Sequence, residues 1–171
     1  MGIILDSKEK KALSESDICD LFITPAIKNA GWNPMKQIRR EVTLTPGPIV
    51  VRGNISSRNK KKKKFADYVL SWEQGVPVAV IEAKDNNHSV SHGMQQGLGY
   101  SEILNVPSTF SSNGDAFASN NKVPEDGEAI EVEFPLDAFP TPEVVKGRSK
   151  GTFPFFCKKG KHLCSTSWCY C

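Results

Sequence analysis

Cysteine is nearly missing from the first 156 residues, where Cys19 stands alone. That excludes a disulfide framework for most of the chain and fits a reducing, cytoplasmic compartment. No apolar run approaches the length of a membrane span, and the N-terminus has no signal-peptide apolar core. There is no phosphate loop of the form GxxxxGK[ST]; the GKH at Gly160–His162 lacks the Ser/Thr, so ATP binding by this chain is not expected. Acids are scarce in one stretch: residues 36–64 hold ten Lys/Arg against Glu41 alone, whereas residues 65–145 hold two Lys against thirteen acids. A basic block followed by an acidic one implies a polarised surface, and the basic half is a candidate for phosphate contacts. At 171 residues the chain suits one domain with a real core.

Composition changes at Lys146. The stretch from there to Cys171 has no acids, six basic residues and four cysteines. Cys157, Cys164, Cys169 and Cys171, with His162, match neither paired CxxC nor the usual Cys/His zinc spacings. The expected division is therefore a domain over residues 1–145 and an atypical tail over 146–171, a truncation junction or a non-native reading frame.

Taken in order, SESDICDLFITPAIKNAGW predicts a first helix. Ser14 is the N-cap with Asp17 three residues on, Ile18, Leu21, Phe22 and Ile27 recur at helical spacing, and Gly31 is the stop. Pro25 should bend or interrupt it, having no N–H. Glu15 falls in the first turn, where an acid is favourable in any case. QIRREVTL and PIVVRGNIS read as two strands divided by TPGP. Lys60, Lys61, Lys62, Lys63 and Lys64 then repel one another, so they form a solvated loop or hairpin tip, either a solubilising surface or an attractor of nucleic-acid phosphates. Further on, a helix is expected from Ser89 to about Leu104, with Gln96 and Tyr100 neighbours on one face. His88 and His92 share that spacing but lack a matched third ligand. VPSTFSSNGDAF predicts a strand ending in an Asn-Gly turn, and AIEVEFPL a short edge strand.

The centre of the chain is FADYVLSWEQGVPVAVIEAK, Phe65 to Lys84. FADYVLSW is rich in aromatic and β-branched residues, EQG supplies a turn, and VPVAVIEAK is a short apolar run of the kind buried on both faces. Side chains alternate along a strand, so Glu82 and Lys84 leave the same face, and in a hairpin Asp67 can come beside Glu82. Two carboxylates held together repel, and burial raises the cost of ionising both. Mg²⁺ or Mn²⁺, bound by carboxylate, carbonyl and water, removes the conflict. An ordinary surface hairpin with solvated charges stays open on this pattern alone.

With ADYVL, AVIEAKDNNHSV and QQGLGY in order, preceded by ESDI…FITPAI…AGW and IRREVTL and followed by FSSNGD, the chain resembles a known family. It is similar to the N-terminal nuclease domain of the restriction (R, or HsdR) subunit of type I restriction–modification enzymes, in the PD-(D/E)xK superfamily. The resemblance runs from about Glu15 to Val145. It implies an α/β restriction-endonuclease-like fold, a central mixed β-sheet flanked by helices, and Mg²⁺-dependent hydrolysis of double-stranded DNA. Asp67 and Glu82 would be the catalytic acids and metal ligands, Lys84 the catalytic lysine, Gln96 and Tyr100 the supporting Q-x-x-x-Y element, and Glu15 an acid of the first helix. It also implies modification (M) and specificity (S) subunits as partners, with ATP used only by the full-length subunit. The alternative is a catalytically inert module that docks on DNA or on those subunits.

Overall fold

The strand-forming runs pair into a six-stranded sheet of order β1-β4-β5-β6-β7-β8, with β2 and β3 forming a separate two-stranded ribbon. These are β1 (Ile38–Thr45), β2 (Ile49–Arg52), β3 (Ile55–Arg58), β4 (Lys64–Glu73), β5 (Val76–Ala83), β6 (Ser108–Ser112), β7 (Ala116–Asn121) and β8 (Glu131–Pro135). The computed structural model describes residues 5–45, 49–52, 55–58, 64–122, 124 and 129–148. Lys60, Lys61, Lys62 and Lys63 of the basic loop, and residues 149–171 of the tail, lie outside them. Neighbouring strands run antiparallel except β5 and β6, which are parallel. A parallel pair needs a crossover, and α4 (Met94–Leu104) makes it. The sheet is thus mixed and flanked by helices.

The remaining helices are α1 (Ser7–Lys11), α2 (Glu15–Ile18), α3 (Thr24–Asn29) and α5 (Pro142–Gly147). On one face of the sheet Ile18, Ile23 and Ile27 pack with Tyr68, Leu70, Ile81 and Phe110. On the other, Tyr100 and Val106 pack with Val69 and Val80. Each such side chain stabilises the fold by about 1.5–3 kcal/mol when withdrawn from water. β5 is covered on both faces, its last six residues all buried, as an apolar run of that length predicts.

The helix expected from SESDICDLFITPAIKNAGW is one continuous element, Glu15–Asn29, with a widened middle. Ser14 and Asp17 form the expected capping box. Between α2 and α3, Cys19–Ile23 forms a π-helical turn in which the Thr24 N–H donates to the Cys19 carbonyl. Pro25 explains it: without an N–H, and with a ring that crowds the carbonyl four residues back, it disfavours a regular turn there. Gly31, at φ 94°, closes α3 in a Schellman arrangement, with Gly31 N–H on the Lys28 carbonyl and Trp32 N–H on that of Ile27.

Three expectations need correction. PIVVRGNIS is two strands, because Arg52 of one pairs antiparallel with Ile55 of the other. The helix expected from Ser89 begins only at Met94. Side chains draw the preceding loop elsewhere: Asn86 Nδ2 donates to the Asn113 carbonyl and to Asp115, Asn87 Nδ2 to the Lys11 carbonyl, and Asn113 Nδ2 to the His88 carbonyl. Finally, AFASNN, beyond the Asn-Gly turn, is the full strand β7. At the C-terminal side, α5 crosses the boundary expected between 145 and 146, with the Lys146 ammonium 3.7 Å above the centre of the Trp72 ring.

Candidate active site

The β4–β5 register places Tyr68 opposite Ile81 and Val69 opposite Val80. Continued by one residue, it sets Asp67 opposite Glu82 on the face that carries Val69 and Val80. Asp67 Oδ2 accepts the Ala83 N–H at 2.7 Å, which anchors its carboxylate at the end of β5. On its other side β1 kinks: Arg40 pairs with Tyr68 and Val42 with Ala66, and between them Glu41 adopts φ 51°. A non-glycine residue in that region costs about 1–3 kcal/mol, and here it lies beside Asp67.

Glu82 is 1% exposed. Its Oε1 accepts the Lys84 ammonium at 2.9 Å, while Oε2 is buried without a donor. Burial first, then the charge of Asp67, raises the Glu82 carboxyl to about 7 against the pull of Lys84. Burial also raises Asp67, against the Ala83 N–H and Lys84. For Lys84, burial favours the neutral amine, but the bond to Glu82 and the charges of Glu82, Glu15 and Asp67 outweigh it and hold the ammonium above its usual range. Its backbone is fixed by donation of its N–H to the Ser112 carbonyl.

Glu15 reaches the group from the helix layer, its Oε2 3.7 Å from Lys84 Nζ. Burial raises its carboxyl, with Asp67 and Asp85 adding to the effect and Lys84 opposing it. On the opposite face Gln96 Nε2 donates to the Tyr100 hydroxyl at 2.8 Å. Tyr100 is raised by burial and then by the charges of Glu82 and Asp67, so this pair stands in electrostatic reach of the acids. Lys64, at the start of β4, is exposed. Asp67, Glu82, Lys84, Glu15, Gln96 and Tyr100 are therefore gathered at one end of the β4–β5 pair. His88 and His92 pack on each other, with ring centres 4.3 Å apart, and His88 Nδ1 is 3.0 Å from Asp85.

Among the described residues no three His, Cys, Asp or Glu side chains form a cage for a metal ion. A Mg²⁺ ion does not need one. It keeps several waters and is held by one or two carboxylates together with substrate phosphate. The residues fit that demand: a half-buried Asp67 lies opposite the buried Glu82, and Glu82 Oε2 is an acceptor that no protein donor satisfies.

Two contributors were not singled out in the sequence. Gly93 and Gly97, four apart and so on one face of α4's first turns, let that helix lie directly on the acid. A Cβ at Gly93 would meet Glu82 Cγ at 2.8 Å and Ser111 Oγ at 2.9 Å; one at Gly97 would meet Thr109 Cγ2 at 2.8 Å. Ser111 Oγ accepts the Gly93 N–H at 3.1 Å, and Ser111 is the β6 partner of Glu82. Gly97→Val should therefore lower stability by about 1–3 kcal/mol through overpacking, read as a lower urea midpoint at unchanged slope. An unchanged midpoint would mean that α4 is free to move off the sheet.

No family model matches the chain. The chain is 45% identical over 130 residues, 76% of its length, to the type I restriction enzyme EcoAI endonuclease subunit of Escherichia coli, of which it spans 16%. Its fold matches the solved fragment of a protein assigned as an HsdR subunit of a type I restriction enzyme from Vibrio vulnificus YJ016. That match has a TM-score of 0.68 and 35% identity, covering 82% of this chain and 26% of that one. The likeness holds in sequence and in fold alike. The chain belongs to the HsdR family of type I restriction enzyme subunits, of which it holds the α/β nuclease-fold domain.

Proposed function

We propose that the chain is a Mg²⁺-dependent DNA endonuclease domain whose site is Asp67, Glu82 and Lys84. The observation that carries this is the buried Glu82 carboxylate, one oxygen on Lys84 and the other without a donor beside Asp67. Asp67 and Glu82 would hold the cation, with Mn²⁺ able to replace Mg²⁺. When bound, the cation supplies Lewis-acid stabilisation of charge on the phosphate. Lys84, kept charged by three surrounding carboxylates, serves as a hydrogen-bond donor to the oxygen on which charge develops rather than as a base. Glu15 holds the ammonium from the helix side. Gln96 and Tyr100 support Glu82 and face the DNA, and Lys60 to Lys64 contact its phosphates.

Double-stranded DNA is the substrate, and the M and S subunits supply the sequence specificity. ATP-driven translocation falls to the part of the R subunit that this chain does not span. Purified chain should nick supercoiled plasmid with Mg²⁺ or Mn²⁺ and stop when the ion is chelated. Lys84→Ala should slow nicking by about 100-fold or more with the far-UV spectrum unchanged. Nicking by Lys84→Ala at the wild-type rate would remove the assignment; a wild type that binds duplex DNA and never cuts it would establish the inert docking module instead.

A further inference from the structure

Tyr68 stands next to Asp67 on β4 but faces the opposite layer, fully buried among the helices. Its hydroxyl donates to the Cys19 carbonyl at 3.1 Å and lies 2.8 Å from the Thr24 hydroxyl. Both partners belong to the widened turn: the Cys19 carbonyl also accepts the Thr24 N–H that defines it. A side chain inserted into a helix ladder in this way fixes the local bend. The packing needs only the ring, since phenylalanine fills the same volume without burying a hydroxyl. What the hydroxyl adds is a fixed height for the helix against β4.

That height matters one turn earlier. The Cys19 N–H donates to the Glu15 carbonyl, and Glu15 faces Lys84 across 3.7 Å. Lys84 is joined through Ala83 to the N–H held by Asp67, and Asp67 adjoins Tyr68. The contacts thus form a closed ring through both strands and the helix, with the Tyr68 hydroxyl as the link between sheet and helix. Arg40 reinforces it from β1, pairing with Asp20 and lying 5.3 Å from the centre of the Tyr68 ring.

We propose that Tyr68 is a positioning residue: its hydroxyl, tied into the π-helical turn, holds Glu15 against Lys84, a role that rests on the hydrolytic reading above. Single-turnover plasmid nicking by the full chain with Mn²⁺ tests it in a cycle of Tyr68→Phe, Glu15→Gln and the double variant, beside a crystal structure of Tyr68→Phe. Tyr68→Phe should slow nicking about fivefold in the wild-type background and less than about twofold once Glu15 is gone, the coupling expected of residues acting as a unit. In the crystal the Glu15–Lys84 separation should open beyond its present 3.7 Å. Equal slowing in both backgrounds, or no slowing in either, would overturn the proposal, as would an unchanged separation. Should the wild type not nick at all, the hydrolytic reading fails and the crystallographic separation decides the positioning role by itself.

Discussion

Glu82→Gln should stabilise the protein while removing the proposed nicking activity. The wild-type carboxylate is buried beside Asp67 with one oxygen lacking a donor. Glutamine keeps an oxygen for Lys84, offers an NH₂ to Asp67, and ends the repulsion between two acids. The expected gain at pH 8 is about 1–2 kcal/mol, or about 3–6 °C in Tm for a domain of this size. On the proposed reading, nicking should fall by about 1,000-fold, because the several kcal/mol that a cation held there would supply are lost. The gain is pH-dependent with a definite sign. Folding raises the Glu82 carboxyl from 4.5 to about 7, so the folded chain holds the proton more tightly than the unfolded one. That contribution is complete below about 4.5 and is lost as pH rises through about 7. Asp67 and Glu15 are raised too and act in the same sense. Asp17 and Asp115 are lowered and act oppositely, but only in more acidic solution. Glu82→Gln should therefore match the wild type in Tm near pH 5 and exceed it at pH 8, as thermal melts across that range would show. A variant less stable than wild type at pH 8 would mean that Glu82 is not held against its own charge.

Phe110→Ala should do the reverse, costing stability while sparing the chemistry. Phe110 is fully buried in the middle of β6, with ring centres 5.0 Å from Phe139 and 6.4 Å from Phe134. Phe117 joins the same group, its ring centre 4.6 Å from that of Phe139 and stacked on Phe134 at 5.9 Å. Removing one ring from this cluster leaves a cavity that β-strands on either side cannot close, at a cost of about 3–5 kcal/mol. That is a large fraction of the roughly 5–15 kcal/mol that holds a domain together, and it should lower Tm by about 10–15 °C. Phe110 belongs to the helix-layer core, whereas its neighbour Ser111 receives the Gly93 N–H beside Glu82 on the other side. Nicking well below the new Tm should thus remain within a few-fold of wild type. A loss of less than about 1 kcal/mol in urea unfolding would show that the cluster is loosely packed.

The parts of this structure legible in the sequence are those set by short-range chemistry. The β4–β5 hairpin was legible because alternation, the EQG turn and a continuous apolar run all agree, and the hairpin alone brings Asp67 to Glu82. The capping box at Ser14 and the stop at Gly31 are likewise local. What the sequence left hidden depends on partners far along the chain. The segment Ser89–Gly93 is held in turns rather than helix, because the loop that leads into it is anchored elsewhere by Asn86, Asn87 and Asn113. β7, with its Ser and Asn residues, has little strand propensity and exists because β6 and β8 pair with it on both sides. At the site, the three charged residues were legible as a pattern. The orphaned Glu82 oxygen and the tie from Tyr68 to the π-helical turn emerge only from tertiary packing.

The most direct measurement is anomalous diffraction from crystals soaked in Mn²⁺ near pH 8, with Asp67→Asn and Glu82→Gln crystals soaked alongside. The account predicts Mn²⁺ at the end of β4 and β5, with a carboxylate oxygen of Asp67 and Glu82 Oε2 as ligands, and no ion in either variant. Manganese bound elsewhere, or bound equally well in both variants, would contradict it.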